Sequence, residues 1–268
     1  MQLLIDIGNS RLKWAFYTKG ELGAIQAIYH RGANLDRLLH SVWRNLPCPR
    51  GIWVANVAGL DLAEALTSWA DSMWGVAPHF VKASLYGLGM KNGYDLPEEL
   101  GADRWIAMLA SWQLSSQKRP ICVIDCGTCI TMDTLDQFGK HLGGLIIPGI
   151  ESMRSAILTF TQGCSLQRKP SQVNQSLLAK NSYDGVMGGT VYATVACIER
   201  LLKELKDELG EAPEVFLTGG EASCIEPLLS RPVVSHPNLV IEGLSLLAKQ
   251  QLKTQLEQRL RHVQEPAN

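Results

Sequence analysis

Short apolar runs broken by polar turns alternate along this chain with longer stretches in which apolar residues recur every three or four positions. Leu3 to Ile7 and Leu12 to Tyr17 are aliphatic and aromatic runs separated by Gly8-Asn9-Ser10, a pattern that predicts two strands joined as a β-hairpin. Helical spacing predicts helices over Leu35 to Trp43 and Leu60 to Trp74, with strands at Ile52 to Ala55 and His79 to Val81. Strands and helices in alternation indicate an α/β fold. Gly87, Gly89 and Gly93 mark a loop, and Leu100 to Leu114 then returns to helical spacing.

Past Pro120 the opening hairpin reappears, with strands expected at Ile121 to Asp125 and Ile130 to Leu135. Leu4-Ile5-Asp6-Ile7-Gly8-Asn9 and Val123-Ile124-Asp125-Cys126-Gly127-Thr128 share a strand, an acid, a glycine and a polar turn. The repeat predicts a duplicated domain with a boundary near residue 118: a first half over 1–118, a second over 119–253 and a tail over 254–268. The second half continues through Gly143-Gly144-Leu145-Ile146-Ile147-Pro148-Gly149. Helical patterns follow near Ile150 to Leu158 and from Ser182 to Leu205, then a strand at Val215 to Leu217 runs into Thr218-Gly219-Gly220. From Leu244 onward the chain is helical in pattern and rich in Leu, Gln and Lys.

Composition narrows the function classes. A hydrophobic share of 46% over 268 residues fills a substantial core. A formal net charge of -1 supplies no broad cationic field, so neither nucleic acid nor an anionic membrane surface is an expected partner. No apolar run approaches the roughly 20 residues of a membrane helix. The start, Met1 to Asp6, lacks a basic region and meets an acid early, which argues against a signal peptide. Seven scattered cysteines without framework spacing indicate reduced thiols, and the cytoplasm is the expected compartment.

Asp-x-Gly at a strand end sets a carboxylate beside a glycine that lets a ligand approach the backbone, whose N–H groups suit phosphate oxygens. Two such hairpins form a phosphate clamp, and phosphoryl transfer relies on positioning and charge neutralisation of this kind. Asp6 is the expected Mg²⁺ holder, directly or through water. Asn9, Ser10, Thr128 and Thr131 are neutral donors, and Arg11 and Lys13 are cations near the first turn. Asp103-Arg104, near a helix start, pairs an acid that serves either as a cap or as a base for a substrate hydroxyl with a guanidinium that grips a carboxylate or phosphate. Thr218-Gly219-Gly220 offers close backbone approach to a flat ligand such as adenine. Ser182, at the start of a helical segment, is a candidate cap.

There is no Gly-x4-Gly-Lys-Ser/Thr loop and no Gly-x-Gly-x-x-Gly fingerprint, and the six histidines show no metal-ligand spacing. Cys126-Gly127-Thr128-Cys129 matches Cys-x-x-Cys, yet Ile130 onward reads as a strand, whereas a thiol–disulfide catalyst needs a helix N-terminus to activate its thiol.

In order along the chain, Asp6-Ile7-Gly8-Asn9-Ser10-Arg11-Leu12-Lys13, Gly101-Ala102-Asp103-Arg104, Asp125 to Asp133, Gly143-Gly144 with Pro148-Gly149, and Thr218-Gly219-Gly220 resemble the motifs of the type III pantothenate kinases. The resemblance runs from residue 3 to about 247. It implies duplicated RNase H-like domains of the actin-like ATPase kind, each a mixed sheet flanked by helices. It also implies transfer of a phosphoryl group from ATP to the terminal hydroxyl of pantothenate, the first step toward coenzyme A. By resemblance Asp103 is the proton acceptor, and Asp6 to Lys13, Thr128, Gly219 and Gly220 contact ATP. Tyr94, Gly101, Ala102, Asp103, Arg104 and Ser182 bind pantothenate, and Asp125 holds a monovalent cation, K⁺ or NH₄⁺. A homodimer working with Mg²⁺ is implied as well. Ser10 and Ser182 stand where the family has threonine and Cys129 where alanine is common; both serines keep the hydroxyl. The alternatives are a kinase of the same fold for another hydroxylated metabolite, a catalytically silent regulatory relative, and a thiol oxidoreductase using Cys126 and Cys129.

Overall fold

A computed structural model of the chain describes residues 1–116, 119–161 and 178–264; the expected boundary near residue 118 lies outside the described residues. The first elements are β1 (Gln2–Ile7), β2 (Arg11–Thr18), β3 (Glu21–Leu22), β4 (Gln26–Tyr29), α1 (Leu35–Trp43), β5 (Ile52–Asn56), α2 (Leu60–Trp74) and β6 (Pro78–Phe80). Two short strands, β7 (Tyr86–Gly87) and β8 (Met90–Lys91), precede α3 (Ala102–Leu114). Then come β9 (Ile121–Cys126), β10 (Cys129–Leu135), β11 (His141–Pro148), α4 (Ile150–Phe160) and α5 (Ser182–Leu209). The chain continues with β12 (Glu214–Thr218), α6 (Ala222–Ile225), β13 (Val234–Ser235) and α7 (Leu239–Gln264). Among the described residues no helix is long and apolar enough to cross a membrane.

The first sheet runs β3-β2-β1-β5-β6, with β4 also paired to β2. The hairpin β1–β2 is antiparallel, and β5 and β6 add on as parallel neighbours. The second sheet runs β11-β10-β9-β12-β13 and repeats that scheme: an antiparallel hairpin, β9–β10, extended by the parallel strands β12 and β13. Parallel neighbours need long crossovers, which α2 supplies between β5 and β6, and α4 and α5 supply on the path from the edge strand β11 back to β12 beside β9. The fold is α/β with two mixed sheets flanked by helices, one for each Asp-x-Gly hairpin.

Two compact units result. The first contains Met1–Gly87, Tyr94–Ala110 and the chain from Leu239 onward; the second contains Leu88–Gly93 and Ser111–Asn238. Helix α7 therefore belongs to the first unit, where it packs over β1, β2 and β5. Gly243 makes this possible, since a Cβ there would stand 2.5 Å from the Ile106 side chain and carbonyl of α3.

Leu3, Ile5 and Ile7 of β1, with Leu12, Trp14 and Val54, pack beneath Leu39 and Trp43 of α1 and Leu66 and Trp69 of α2. Leu4 on the opposite face is equally buried, so β1 reads as a continuous apolar run because both its faces are covered. Trp14, Trp43, Trp69 and Trp74 form a ring cluster, with Trp69 edge-on to Trp74 at 4.7 Å. In the second unit, Cys122, Ile124, Cys126, Ile130 and Leu217 pack against Ile150 of α4 and Val191, Ile198 and Leu202 of α5.

Helix ends follow local chemistry. The Asn34 side chain accepts the Arg37 N–H at the start of α1, and α2 stops at Gly75 in the left-handed conformation. At α5 the cap is Asn181, whose side chain accepts the Asp184 N–H at 2.9 Å; Ser182 is the first helical residue and does not cap. Strands β4 and β13 carry no alternation and were not foreseen. The Gly143-Gly144 segment is strand β11, at the edge of the second sheet.

Candidate active site

The first loop is held from both sides of its hairpin. Asp6 lies opposite Lys13 in the antiparallel register and beside Ala55 of β5; directly opposed residues share a face, so carboxylate and ammonium stand together there. The Gly8 N–H donates to the Arg11 carbonyl at 3.0 Å and closes the turn. Ile7 and Leu12 are buried in the core, so they offer a ligand only backbone, whereas Asn9 is exposed and Ser10 half-buried. The Arg11 guanidinium lies 4.7 Å over the ring of Tyr29 and donates to its hydroxyl. Beyond it, the imidazole Nε2 of His30 donates to the Gly8 carbonyl at 2.6 Å. The His30 backbone N–H donates to the Ser10 carbonyl at 3.2 Å.

The second group of predicted residues gathers at the start of α3. Ala102 opens the helix and Asp103 sits in its first turn, where an acid is favoured by the helix dipole; the Arg104 N–H donates to Asp103 Oδ1 at 2.7 Å. Arg104 is only 8% exposed, and its Nη1 donates to the Tyr94 hydroxyl at 2.8 Å. Buried guanidinium and half-buried phenol thus fix each other beside the Asp103 carboxylate. A Cβ on Gly101 would meet Asp103 Oδ1 at 2.7 Å and Val57 at 3.8 Å. The Val57 N–H donates to the Ile7 carbonyl at 3.0 Å and extends the end of β1.

In the second unit three segments converge on Asp125. It lies opposite Thr131 and beside Thr218. Gly219, at φ +97°, passes so close that a Cβ would stand 2.5 Å from Asp125 Oδ1 and from the Cys126 backbone. A Cβ on Gly149 would run into the carbonyls of Gly127 and Thr128. The Thr128 carbonyl accepts from the Gly149 N–H at 3.0 Å and from the Ser152 hydroxyl at 2.6 Å. Glu221, next after Gly219 and Gly220, donates its N–H to the Cys126 carbonyl at 2.9 Å. Its carboxylate accepts the Ile150 and Glu151 N–H groups at 3.1 and 3.2 Å, capping α4 from 70 residues away. Ser182 is exposed at the first residue of α5, and α5 is joined to α4 by Arg154, which donates to Thr190 and to the Met187 carbonyl.

Asp6 to Lys13 thus span one hairpin, Tyr94 and Gly101 to Arg104 meet at the start of α3, and Asp125, Thr128, Gly219 and Gly220 form one cluster. Sequence reasoning missed His30, Tyr29, Val57 and Glu221. The only sequence signal was for Glu221, an acid directly after the Gly-Gly pair. Among the described residues no three His, Cys, Asp or Glu gather as a metal cage. Asp6 and Asp125 are single carboxylates beside backbone turns, a donor set that fits a hard cation taking most of its oxygens from phosphate and water. Burial first, then the carboxylates of Asp125 and Glu221, push the Cys126 thiol up. Burial and Asp133 push Cys122 up to about 12. Neither is an activated thiol, and Cys129 lies in a strand, which removes the basis for a thiol–disulfide catalyst.

A mixed sheet repeated twice, each copy opening on an acid-bearing hairpin, defines the actin-like class of fold that sugar kinases and related ATPases share. Two solved structures have it. One is a protein from Campylobacter jejuni assigned to the Baf family of transcriptional activators: 20% identical, TM-score 0.56, covering 94% of this chain and 99% of that one. The other is a protein from Listeria monocytogenes assigned as an N-acetylmannosamine kinase: 14% identical, TM-score 0.52, covering 93% and 99%. The profile of the type III pantothenate kinases matches residues 2–204. A type III pantothenate kinase of Nitrosococcus oceani is 38% identical over 96% of this chain and 97% of its own length. The chain belongs to the type III pantothenate kinase family.

Proposed function

We propose that this chain phosphorylates pantothenate at its terminal hydroxyl with ATP, giving 4'-phosphopantothenate and ADP at the first step toward coenzyme A. Family membership carries this reading, and the contacts that join Tyr94, Arg104 and Asp103 at the start of α3 support it. The Asp103 carboxylate accepts the hydroxyl proton as the hydroxyl oxygen bonds to the γ-phosphorus of ATP and the bond to the β,γ-bridging oxygen breaks. Arg104 and Tyr94, with Gly101, Ala102 and Ser182, hold pantothenate. The loop from Asp6 to Lys13 and the residues Thr128, Gly219 and Gly220 hold ATP, and Lys13 offsets phosphate charge.

Asp6 is the group to hold Mg²⁺, directly or through water, and Asp125 the group to hold K⁺ or NH₄⁺; bound cations there offset phosphate charge. We also assign a homodimer. Its support is the edge strand β11, which exposes Leu142, Leu145 and Ile146 by 46, 48 and 59%, an apolar sheet edge that proteins usually cover. A cytoplasmic setting accords with the described cysteines, which are all free thiols.

The test is purified protein with ATP, pantothenate, Mg²⁺ and either K⁺ or NH₄⁺. 4'-Phosphopantothenate should form, and turnover should fall when both monovalent cations are left out. No product under any of these conditions would overturn the assignment and leave a regulatory role. Product from another hydroxylated metabolite in preference to pantothenate would move the chain to a different kinase.

A further inference from the structure

We propose that His30 is a positioning residue for the nucleotide, aiming the first phosphate loop from behind; the proposal rests on the reading that residues 6 to 13 hold ATP phosphates. His30 belongs to none of the motifs. It follows β4, is 6% exposed, and makes two bonds to the loop: Nε2 to the Gly8 carbonyl at 2.6 Å and its own N–H to the Ser10 carbonyl at 3.2 Å. Its carbonyl accepts the Ala33 N–H at 3.0 Å, so the histidine is anchored on both sides of its Cα. Tyr29, just before it, holds Arg11 through its hydroxyl and ring.

A carbonyl oxygen only accepts, so Nε2 carries the proton. In a planar trans peptide the C=O and the following N–H point in opposite directions, so tying the Gly8 carbonyl to His30 turns the Asn9 N–H away from His30. Without that bond the Gly8–Asn9 peptide is free to flip, and a flipped peptide would present a carbonyl oxygen where an anion expects a donor. A loop that binds phosphate through backbone N–H groups needs its carbonyls held elsewhere, and His30 holds two of them. Burial keeps water from competing for the short bond to Gly8.

Three measurements test this. Wild-type turnover comes first, since its absence would sink the reading of function rather than this inference. His30→Phe keeps a buried ring without the donor, and His30→Gln keeps an N–H donor near the Nε2 position. The Phe variant should raise KM for ATP about tenfold, the scale of one hydrogen bond, with KM for pantothenate unchanged, and the Gln variant should recover most of the loss. A folded Phe variant with wild-type KM for ATP, equal losses for both substrates, or no recovery in Gln would overturn the proposal. Nitrogen-15 spectra of the wild-type imidazole supply a readout that no folding defect obscures. They should show the proton on Nε2 of His30, and a neutral ring carrying it on Nδ1 alone would refute the assignment.

Discussion

Gly219 combines a positive φ with close neighbours, and Gly219→Ala measures what a methyl group costs there. Two costs add. An L-residue at φ +97° is strained by about 1–2 kcal/mol. The new Cβ would also stand 2.5 Å from Asp125 Oδ1 and from the Cys126 backbone, and the backbone cannot swing aside as a side-chain end could. Pushing the loop back costs a further 1–3 kcal/mol or so, the scale of overpacking in a filled interior. Together the loss is about 2–5 kcal/mol, a fall in melting temperature on the order of 10 °C. Since Asp125 must move, KM for ATP should rise and the response to K⁺ should weaken. Gly210→Ala is the control: Gly210 also has a positive φ, +78°, but nothing lies within 4 Å of its would-be Cβ. It should cost about 1 kcal/mol and leave the kinetics alone. Thermal unfolding and ATP titrations of the two variants decide the matter. Equal losses in both, or a Gly219→Ala protein with wild-type stability, would refute the argument that the approach to Asp125, and not backbone strain alone, makes Gly219 necessary.

Asp103→Asn should retain the fold by circular dichroism while kcat falls by a factor of about 10²–10⁴; retained turnover would take the proton-acceptor role from Asp103. Burial disfavours the charge on Glu199, but the Ser230 N–H and hydroxyl, with Arg231, outweigh it and lower the pKa from the ordinary 4.5. The stability this carboxylate contributes is therefore fully present above about pH 4.5 and lost as pH falls through its folded value. Wild type should be more stable than Glu199→Gln at pH 7, with the gap closing in acid; a gap independent of pH would contradict this. Brief alkylation of native protein at pH 8, read by mass spectrometry, should label the exposed Cys48, Cys129 and Cys224 and spare Cys122 and Cys126. Labelling of Cys126 before Cys129 would reverse the account of that pair.

Much of this was legible along the chain because it is local. The hairpins at Asp6 and Asp125 show in paired apolar runs and Gly-containing turns. The bounds of α1 and α2 follow from apolar spacing, and Asp103 is placed at a helix start by the residues around it. Other features left no such trace. Strand β4, Gln26–Tyr29, is a mostly exposed edge strand, so neither alternation nor an apolar run marks it, and His30 at its end was invisible with it. Strand β11 contains two glycines and shows apolar side chains to solvent, against the usual pattern. Glu221 meets Ile150 across 70 residues, a distance that no local pattern spans.

The α/β class, the repeated hairpin and the candidate site residues could be read along the chain, because side-chain period and turn composition are properties of neighbouring positions. Which strands lie parallel to one another, and the return of α7 to the first unit, came out of the fold itself. So did the hold of His30, a residue outside every motif, on the Gly8 and Ser10 carbonyls. Those outcomes depend on which surfaces bury one another and which backbone groups then find partners, and contacts between residues far apart in the chain leave little mark on the order in which they are strung.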